Sequence, residues 1–134
     1  MIVVDTHIIA YLYLTSERSV QVEQAYRKDP HWSAPILWRS EFRNVLALYI
    51  RKQLLSLEQA QQIIEQATLL MRGREYQVAS FQVLELVASS TRSAYDCEFV
   101  ALAKDLNTVL VTVDKQILRQ FPTVAVSLDT FVAS

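Results

Sequence analysis

Thr108-Val109-Leu110-Val111-Thr112-Val113-Asp114 decides the fold of this chain. Val109 to Thr112 is a short, uncharged, mostly β-branched run, and Asn107 before it suits a left-handed helix terminator. Such a run is the signature of a strand buried on both faces of a parallel sheet. Ile2-Val3-Val4-Asp5 repeats the form at the other end of the chain: apolar residues, then an aspartate.

Working outward from these two strands, helical patterns fill most of the chain. Thr6 to Leu14 reads as a strongly apolar helix. A second starts near Ser16-Glu17, with Val20, Ala25 and Tyr26 inward, and stops at Asp29-Pro30. Trp32 to Pro35 is a small strand. Ile36 to Lys52 is a long helix carrying Leu37, Phe42, Val45, Leu46, Leu48 and Tyr49 at helical spacing. Ser56-Leu57-Glu58-Gln59 has the form of a capping box, and its helix runs to about Arg72 with Gly73 as its stop. Glu75 to Ala79 reads as a strand, and Ser80 caps a short helix through Val87. Ser93 to Asp96 introduces a helix through Leu106, and Lys115 to Phe121 is helical. Thr123 to Ser127 is the last strand, before a terminal turn at Thr130 to Val132. Strands alternating with helices make βαβ units, hence a parallel sheet covered on both faces. Sites in such sheets form outside the carboxyl ends of the strands, at a topological switch point. Asp5 and Asp114 stand at such ends.

Composition narrows the chemistry. With 134 residues, 51% hydrophobic and 20% charged, the chain has the make-up of one globular domain, 1–134. The net charge of −1 does not advertise nucleic-acid binding, so any basic surface must come from local clustering. One cysteine, Cys97, excludes an internal disulfide and Cys-rich zinc frameworks, and fits a cytoplasmic location. No apolar run approaches the ~20 residues that span a bilayer, so no membrane association is expected. Gly73 is the only glycine. P-loops and dinucleotide fingerprints need several glycines for backbone to approach phosphate, and the absence of such a loop argues against NTPase and NAD-dependent chemistry.

Asp5, Glu41, Asp96 and Asp114 each lie where an apolar stretch ends or a helix begins. Each has an ordinary explanation alone. An aspartate after a strand is most often a helix N-cap, and a carboxylate at a helix start is favoured by the macrodipole. Glu41 reads equally as a solvated charge pairing with Arg39 or Arg43, a contact worth about 0–1 kcal/mol. Jointly, four acids converging on one sheet edge repel unless a cation or protons intervene. Hard oxygen ligands suit Mg²⁺ or Mn²⁺, and such ions activate water and stabilise phosphodiester transition states.

These segments carry a resemblance. Ile2-Val3-Val4-Asp5-Thr6, Ser40-Glu41 with Asn44-Val45-Leu46, Tyr95-Asp96-Cys97 with Val100-Ala101-Leu102-Ala103, and Leu110-Val111-Thr112-Val113-Asp114 resemble, in order, the motifs of PIN-domain nucleases. The match spans nearly the whole chain and is most similar to small prokaryotic ribonuclease toxins of VapC type. It implies an α/β fold, a three-layer αβα sandwich around a parallel sheet of about five strands. It implies Mg²⁺- or Mn²⁺-dependent cleavage of RNA, with Asp5, Glu41, Asp96 and Asp114 at the family's acidic positions. Thr6 and Thr112 match supporting positions. The partners it implies are an RNA substrate, a cognate antitoxin of a type II toxin–antitoxin pair, and a second copy in a homodimer.

Arg39, Arg43 and Lys115, nearest in sequence to the proposed ligands, lead the candidates for phosphate contact, a group that also contains Arg92. Glu98 is set aside because it points about 200° from Asp96 on a helix. His7 and His31 read as surface or packing residues, and Cys97 as core. Tyr11-Leu12-Tyr13-Leu14 is an apolar run that one sheet face does not obviously bury. A non-catalytic PIN-like binding module and a stand-alone nuclease without an antitoxin are the rival readings. A haloacid-dehalogenase-like phosphatase fails because His7 stands where a second aspartate is needed. A response-regulator receiver fails because no acid precedes Asp5.

Overall fold

A computed structural model describes residues 1–134. Its sheet has five parallel strands in the order β3-β2-β1-β4-β5. These are β1 (Ile2–Val4), β2 (Trp32–Pro35), β3 (Glu75–Tyr76), β4 (Leu110–Thr112) and β5 (Ala125–Ser127). β1 sits at the centre. The chain leaves it toward β2 and β3 on one side and returns to β4 and β5 on the other, so the topological switch lies between β1 and β4. Their register pairs Val3 with Leu110 and Val4 with Val111, which brings Asp5 beside Thr112.

The two central strands lie within the apolar runs quoted above, although Val109 is exposed and precedes β4, and the structure explains why they carry no charge. Ile2, Val3, Val4, Leu110 and Val111 are all buried between helical layers. Each such side chain contributes about 1.5–3 kcal/mol by leaving water. Eight helices surround the sheet: α1 (Thr6–Tyr13), α2 (Ser19–Lys28), α3 (Trp38–Arg51), α4 (Leu57–Leu70), α5 (Ser80–Ala88), α6 (Ala94–Asp105), α7 (Lys115–Gln120) and α8 (Leu128–Ala133). α6 buries half its length, from Cys97 through Ala103, against β1, β2 and β4. The Ser56–Gln59 capping box forms with both of its bonds, Asn107 takes a left-handed φ of 52°, and Gly73 has φ 77° beyond α4.

Several elements differ from the sequence reading. On α2 the buried residues are Val22 and Ala25, while Val20 is exposed. At roughly 100° per residue Val20 lies about 200° from Val22 and about 140° from Ala25, so it faces away from the core when they face it. β3 is only two residues long, because it is an edge strand paired on one side with Ala34 and Pro35. Ala79 is the N-cap of α5, so Ser80 lies inside the helix and caps nothing. The expected terminal turn is α8, capped by Ser127 accepting from the Thr130 N–H at 3.0 Å. Of the Tyr11–Leu14 run only Leu14 is buried; the other three are half-buried against the core.

Leu48 reveals a second face on α3. The core stripe is Trp38, Phe42 and Leu46. A separate stripe of Leu37, Ser40, Glu41, Asn44, Val45 and Leu48 lines a cavity. The spacings of three, four and seven residues place all six on one side of the helix. Leu48, 47% exposed, belongs to this second stripe and not to the core.

Candidate functional site

The cavity beside α3 has a volume of about 670 Å³ and contains all four acids. Asp5 and Asp114 come from the ends of β1 and β4, Glu41 from the first turn of α3, and Asp96 from the first turn of α6. His7, Tyr11, Tyr95, Phe99, Val113 and Ile117 complete the wall with the α3 stripe and Thr6. The switch point between β1 and β4 therefore opens into a carboxylate-lined cleft.

Each acid is held by a local contact. Asp5 caps α1, its Oδ1 accepting from the Ile8 N–H at 3.3 Å, while its Oδ2 accepts a very short hydrogen bond from the Thr112 hydroxyl. Thr112 also accepts from the Asp114 N–H at 3.0 Å, so one buried hydroxyl ties the two strand-end acids together. Asp114 caps α7 through Oδ1, which accepts from the N–H groups of Gln116 and Ile117 at 2.8 and 3.0 Å. Glu41 Oε1 accepts from the Thr6 hydroxyl at 2.6 Å. Asp96 Oδ2 accepts from Nε and Nη2 of Arg92 at 3.2 and 2.9 Å.

The electrostatics follow from this crowding. Asp5 is only 8% exposed, and burial pushes its carboxyl up to about 6, against the pull of the Thr112 hydrogen bond and the neighbouring His7; the charge of Asp114 adds to the rise. Burial also raises Glu41, opposed by the Thr6 hydrogen bond, with the charge of Asp96 raising it further. Asp5 thus feels Asp114, and Glu41 feels Asp96. These are the repulsive pairs that a cation relieves.

The wall offers carboxylate oxygens, the hydroxyls of Thr6, Ser40, Tyr11 and Tyr95, the Asn44 amide and the His7 imidazole, a mostly oxygen donor set that suits Mg²⁺ or Mn²⁺. No three acids close on one point tightly enough to enclose an ion. A Mg²⁺ that keeps several waters and takes one or two carboxylates directly needs no such cage. The residues fit a hard, partly hydrated cation.

The remaining expected residues divide. Thr6 and Thr112 are both in the cluster, each donating to an acid. Arg39, Arg43 and Lys115 do not line the cavity. The Arg39 guanidinium is taken by Glu75, with Nε and Nη2 donating at 2.5 and 2.6 Å, and Trp38 Nε1 donates to the same carboxylate at 2.7 Å. Arg39 therefore fastens α3 to the edge strand β3. Glu98 lies outside the cavity wall, although burial and the charge of Glu41 raise its carboxyl. His7 is in the wall, tilted against Tyr11 with ring centroids 5.9 Å apart. The sequence reading missed the partnership of Arg92 with Asp96. Its only signal was a spacing of four residues, and Arg92 lies before the Ser93 cap, outside the helix where that spacing carries meaning.

A family model, the PIN domain, matches residues 2–122. The chain belongs to the PIN-domain family. Ribonuclease VapC3 of Pyrobaculum aerophilum is 29% identical over 124 residues, covering 90% of this chain and 95% of that protein. Two crystal structures share the PIN fold. That of PAE2754 from Pyrobaculum aerophilum superposes with a TM-score of 0.71 at 18% identity, covering 98% of this chain and 93% of the other. That of FitAcB from Neisseria gonorrhoeae gives 0.73 at 17% identity, covering 96% and 98%. The five-stranded α/β architecture implied by the resemblance is the one observed.

Proposed function

We propose that this PIN-domain chain is a Mg²⁺- or Mn²⁺-dependent endoribonuclease, and the toxin of a type II toxin–antitoxin pair. The observation that carries the proposal is the convergence of Asp5, Glu41, Asp96 and Asp114 on one cleft at the β1–β4 switch point. The likeness to a relative named a ribonuclease supports RNA as the substrate. When bound, a divalent cation supplies charge for the phosphodiester transition state and lowers the pKa of water. The chain's own residues hold and orient. Thr112 and the N-terminus of α1 fix Asp5, Thr6 fixes Glu41, and the α7 cap fixes Asp114. The wall contains no lysine or arginine, so phosphate reaches the cleft only once its negative charge has been offset.

Incubating the purified chain with end-labelled RNA, with and without Mg²⁺ or Mn²⁺, tests the nuclease. Asp5→Asn and Asp96→Asn should fold and lose metal-dependent cleavage. Undiminished, chelator-sensitive activity in both variants would remove the proposed site. A non-catalytic binding module is the rival, and it has no need to keep four repelling acids together. The toxin assignment brings a cytoplasmic location, a cognate antitoxin and a homodimer with it. Phe81 and Leu84, 73% and 60% exposed one turn apart on α5, offer apolar surface for a protein partner. A small DNA-binding protein encoded next to this chain would support the pairing; its absence would leave a stand-alone nuclease.

A further inference from the structure

The cleft gathers four acids, yet only one ion pair in the molecule involves any of them: Arg92 with Asp96. This is not an ordinary surface pair. The two side chains are 24% and 26% exposed, and both Arg92 N–H groups converge on the single oxygen Oδ2. Oδ1 is left for the cleft. The loop beneath Arg92 is also built. Gln120 of α7 accepts from the Thr91 N–H at 2.8 Å and donates to the Thr91 hydroxyl at 2.6 Å. The Arg92 N–H donates to Ser90 Oγ at 3.2 Å, and that hydroxyl donates to the Leu86 carbonyl at 2.7 Å. The backbone is thus pinned on both sides before the guanidinium reaches Asp96, which lowers the entropy lost in making the pair.

We propose that Arg92 is a resident counter-ion of the cleft, occupying Asp96 in the absence of a divalent cation and competing with that cation for the carboxylate. The inference rests on the metal-site reading of the four acids. Asp96 is the acid whose charge Glu41 feels, so a positive group on it relieves repulsion across the cleft. A divalent cation relieves the same repulsion with twice the charge and must draw Asp96 away from Arg92 to use both of its oxygens. Competition is reciprocal: whatever the pair costs the cation, the cation costs the pair. Occupation then frees a guanidinium beside a cleft whose wall has no other cation, placed to take an RNA phosphate.

Calorimetric titration of Mn²⁺ into the whole chain tests this, comparing wild type with Arg92→Gln, Arg92→Lys and Asp96→Asn, with melting temperatures taken alongside. Arg92→Gln should bind Mn²⁺ about two- to fivefold more tightly, the range set by a partly exposed pair. Its metal-free melting temperature should fall slightly, while its Mn²⁺-induced rise in melting temperature exceeds that of wild type. A residue that merely supports the loop would weaken both. Arg92→Lys should lie between the two, and on an Asp96→Asn background Arg92→Gln should change Mn²⁺ affinity no further. Wild-type binding with unchanged or weaker binding by Arg92→Gln overturns the counter-ion role and leaves the metal site standing. No saturable Mn²⁺ binding by wild type removes the metal site and the counter-ion role together.

Discussion

Replacing Asp5 with asparagine should make the metal-free protein more stable at pH 8 and less stable at pH 4. Burial lifts the Asp5 carboxyl from 3.8 to about 6 in the native state. At 1.36 kcal/mol per pKa unit, holding it ionised at pH 8 costs about 3 kcal/mol. The sign follows from proton counting. Between about pH 4 and pH 6 the native state binds more protons at Asp5 than the unfolded state does. Wild-type stability therefore falls as pH rises through that window and is flat in this contribution above it. Asparagine carries no charge, but its one carbonyl oxygen cannot accept from both the Ile8 N–H and the Thr112 hydroxyl, a loss of about 1 kcal/mol. The net gain at pH 8 is about 2 kcal/mol. With an unfolding entropy of about 2.1 cal/mol/K per residue, that is a rise of roughly 7 °C in melting temperature. At pH 4 the unfolded carboxyl is still more than half ionised, which offsets about 0.5 kcal/mol of the lost hydrogen bond, and the variant should melt about 2 °C lower. Thermal melts of both proteins in EDTA from pH 4 to pH 8 measure the crossing. A variant destabilised by the same amount at both ends would show that Asp5 is not a charge held against burial, and the electrostatic case for a cation at this position would go with it.

Thr112→Val removes the hydroxyl shared by Asp5 and the Asp114 N–H; it should cost about 2 kcal/mol and reduce cleavage 10–100-fold, with the pH at which activity appears shifted upward. Arg39→Ala should cost about 1 kcal/mol in urea unfolding by stranding Glu75, and leave the salt dependence of RNA binding unchanged; a shallower salt slope would return Arg39 to the phosphate contacts. Glu98→Gln should cleave within about twofold of wild type while Glu41→Gln loses most activity, and the opposite ranking in the same assay would exchange their roles. Asp114→Ser keeps an N-cap, so stability should change by no more than about 0.5 kcal/mol, yet cleavage should be lost. Full activity in that variant would make Asp114 a cap alone.

The parallel sheet and the cleft acids were legible because both depend on local pattern. An unbroken apolar run can only be buried on two faces, and an aspartate at its end can only emerge at the carboxyl edge. What escaped depended on relations that no local window contains. Leu48 has helical spacing with both stripes of α3, and only the packed neighbours say which face is core and which is cleft. Arg39 and Arg92 are chemically alike and both stand near an acid of the cluster in sequence. One is drawn away by Glu75 across 36 residues, and the other turns back onto Asp96 from outside its helix. Ser80 follows the composition rule for caps, but the helix begins at Ser80 itself and places Ala79 in the capping position.

The choice between helix cap and metal ligand dissolves when the carboxylate oxygens are followed one by one. Asp114 gives Oδ1 to the N–H groups of α7 and keeps Oδ2 without a hydrogen bond. Glu41 gives Oε1 to Thr6 and keeps Oε2. Asp96 is the exception among them: its Oδ2 is held by a cation, Arg92, so its free Oδ1 is offered against a competing positive charge. Only Asp5 has both oxygens engaged, and it is the acid that burial most disfavours as an anion. One held oxygen fixes the rotamer of a carboxylate, and the free one is then aimed without further loss of side-chain entropy when a ligand arrives. At Asp114 capping is thus the means by which a strand-end aspartate becomes a preorganised donor. Service as a helix cap therefore suits Asp114 to bind a cation and does not disqualify it.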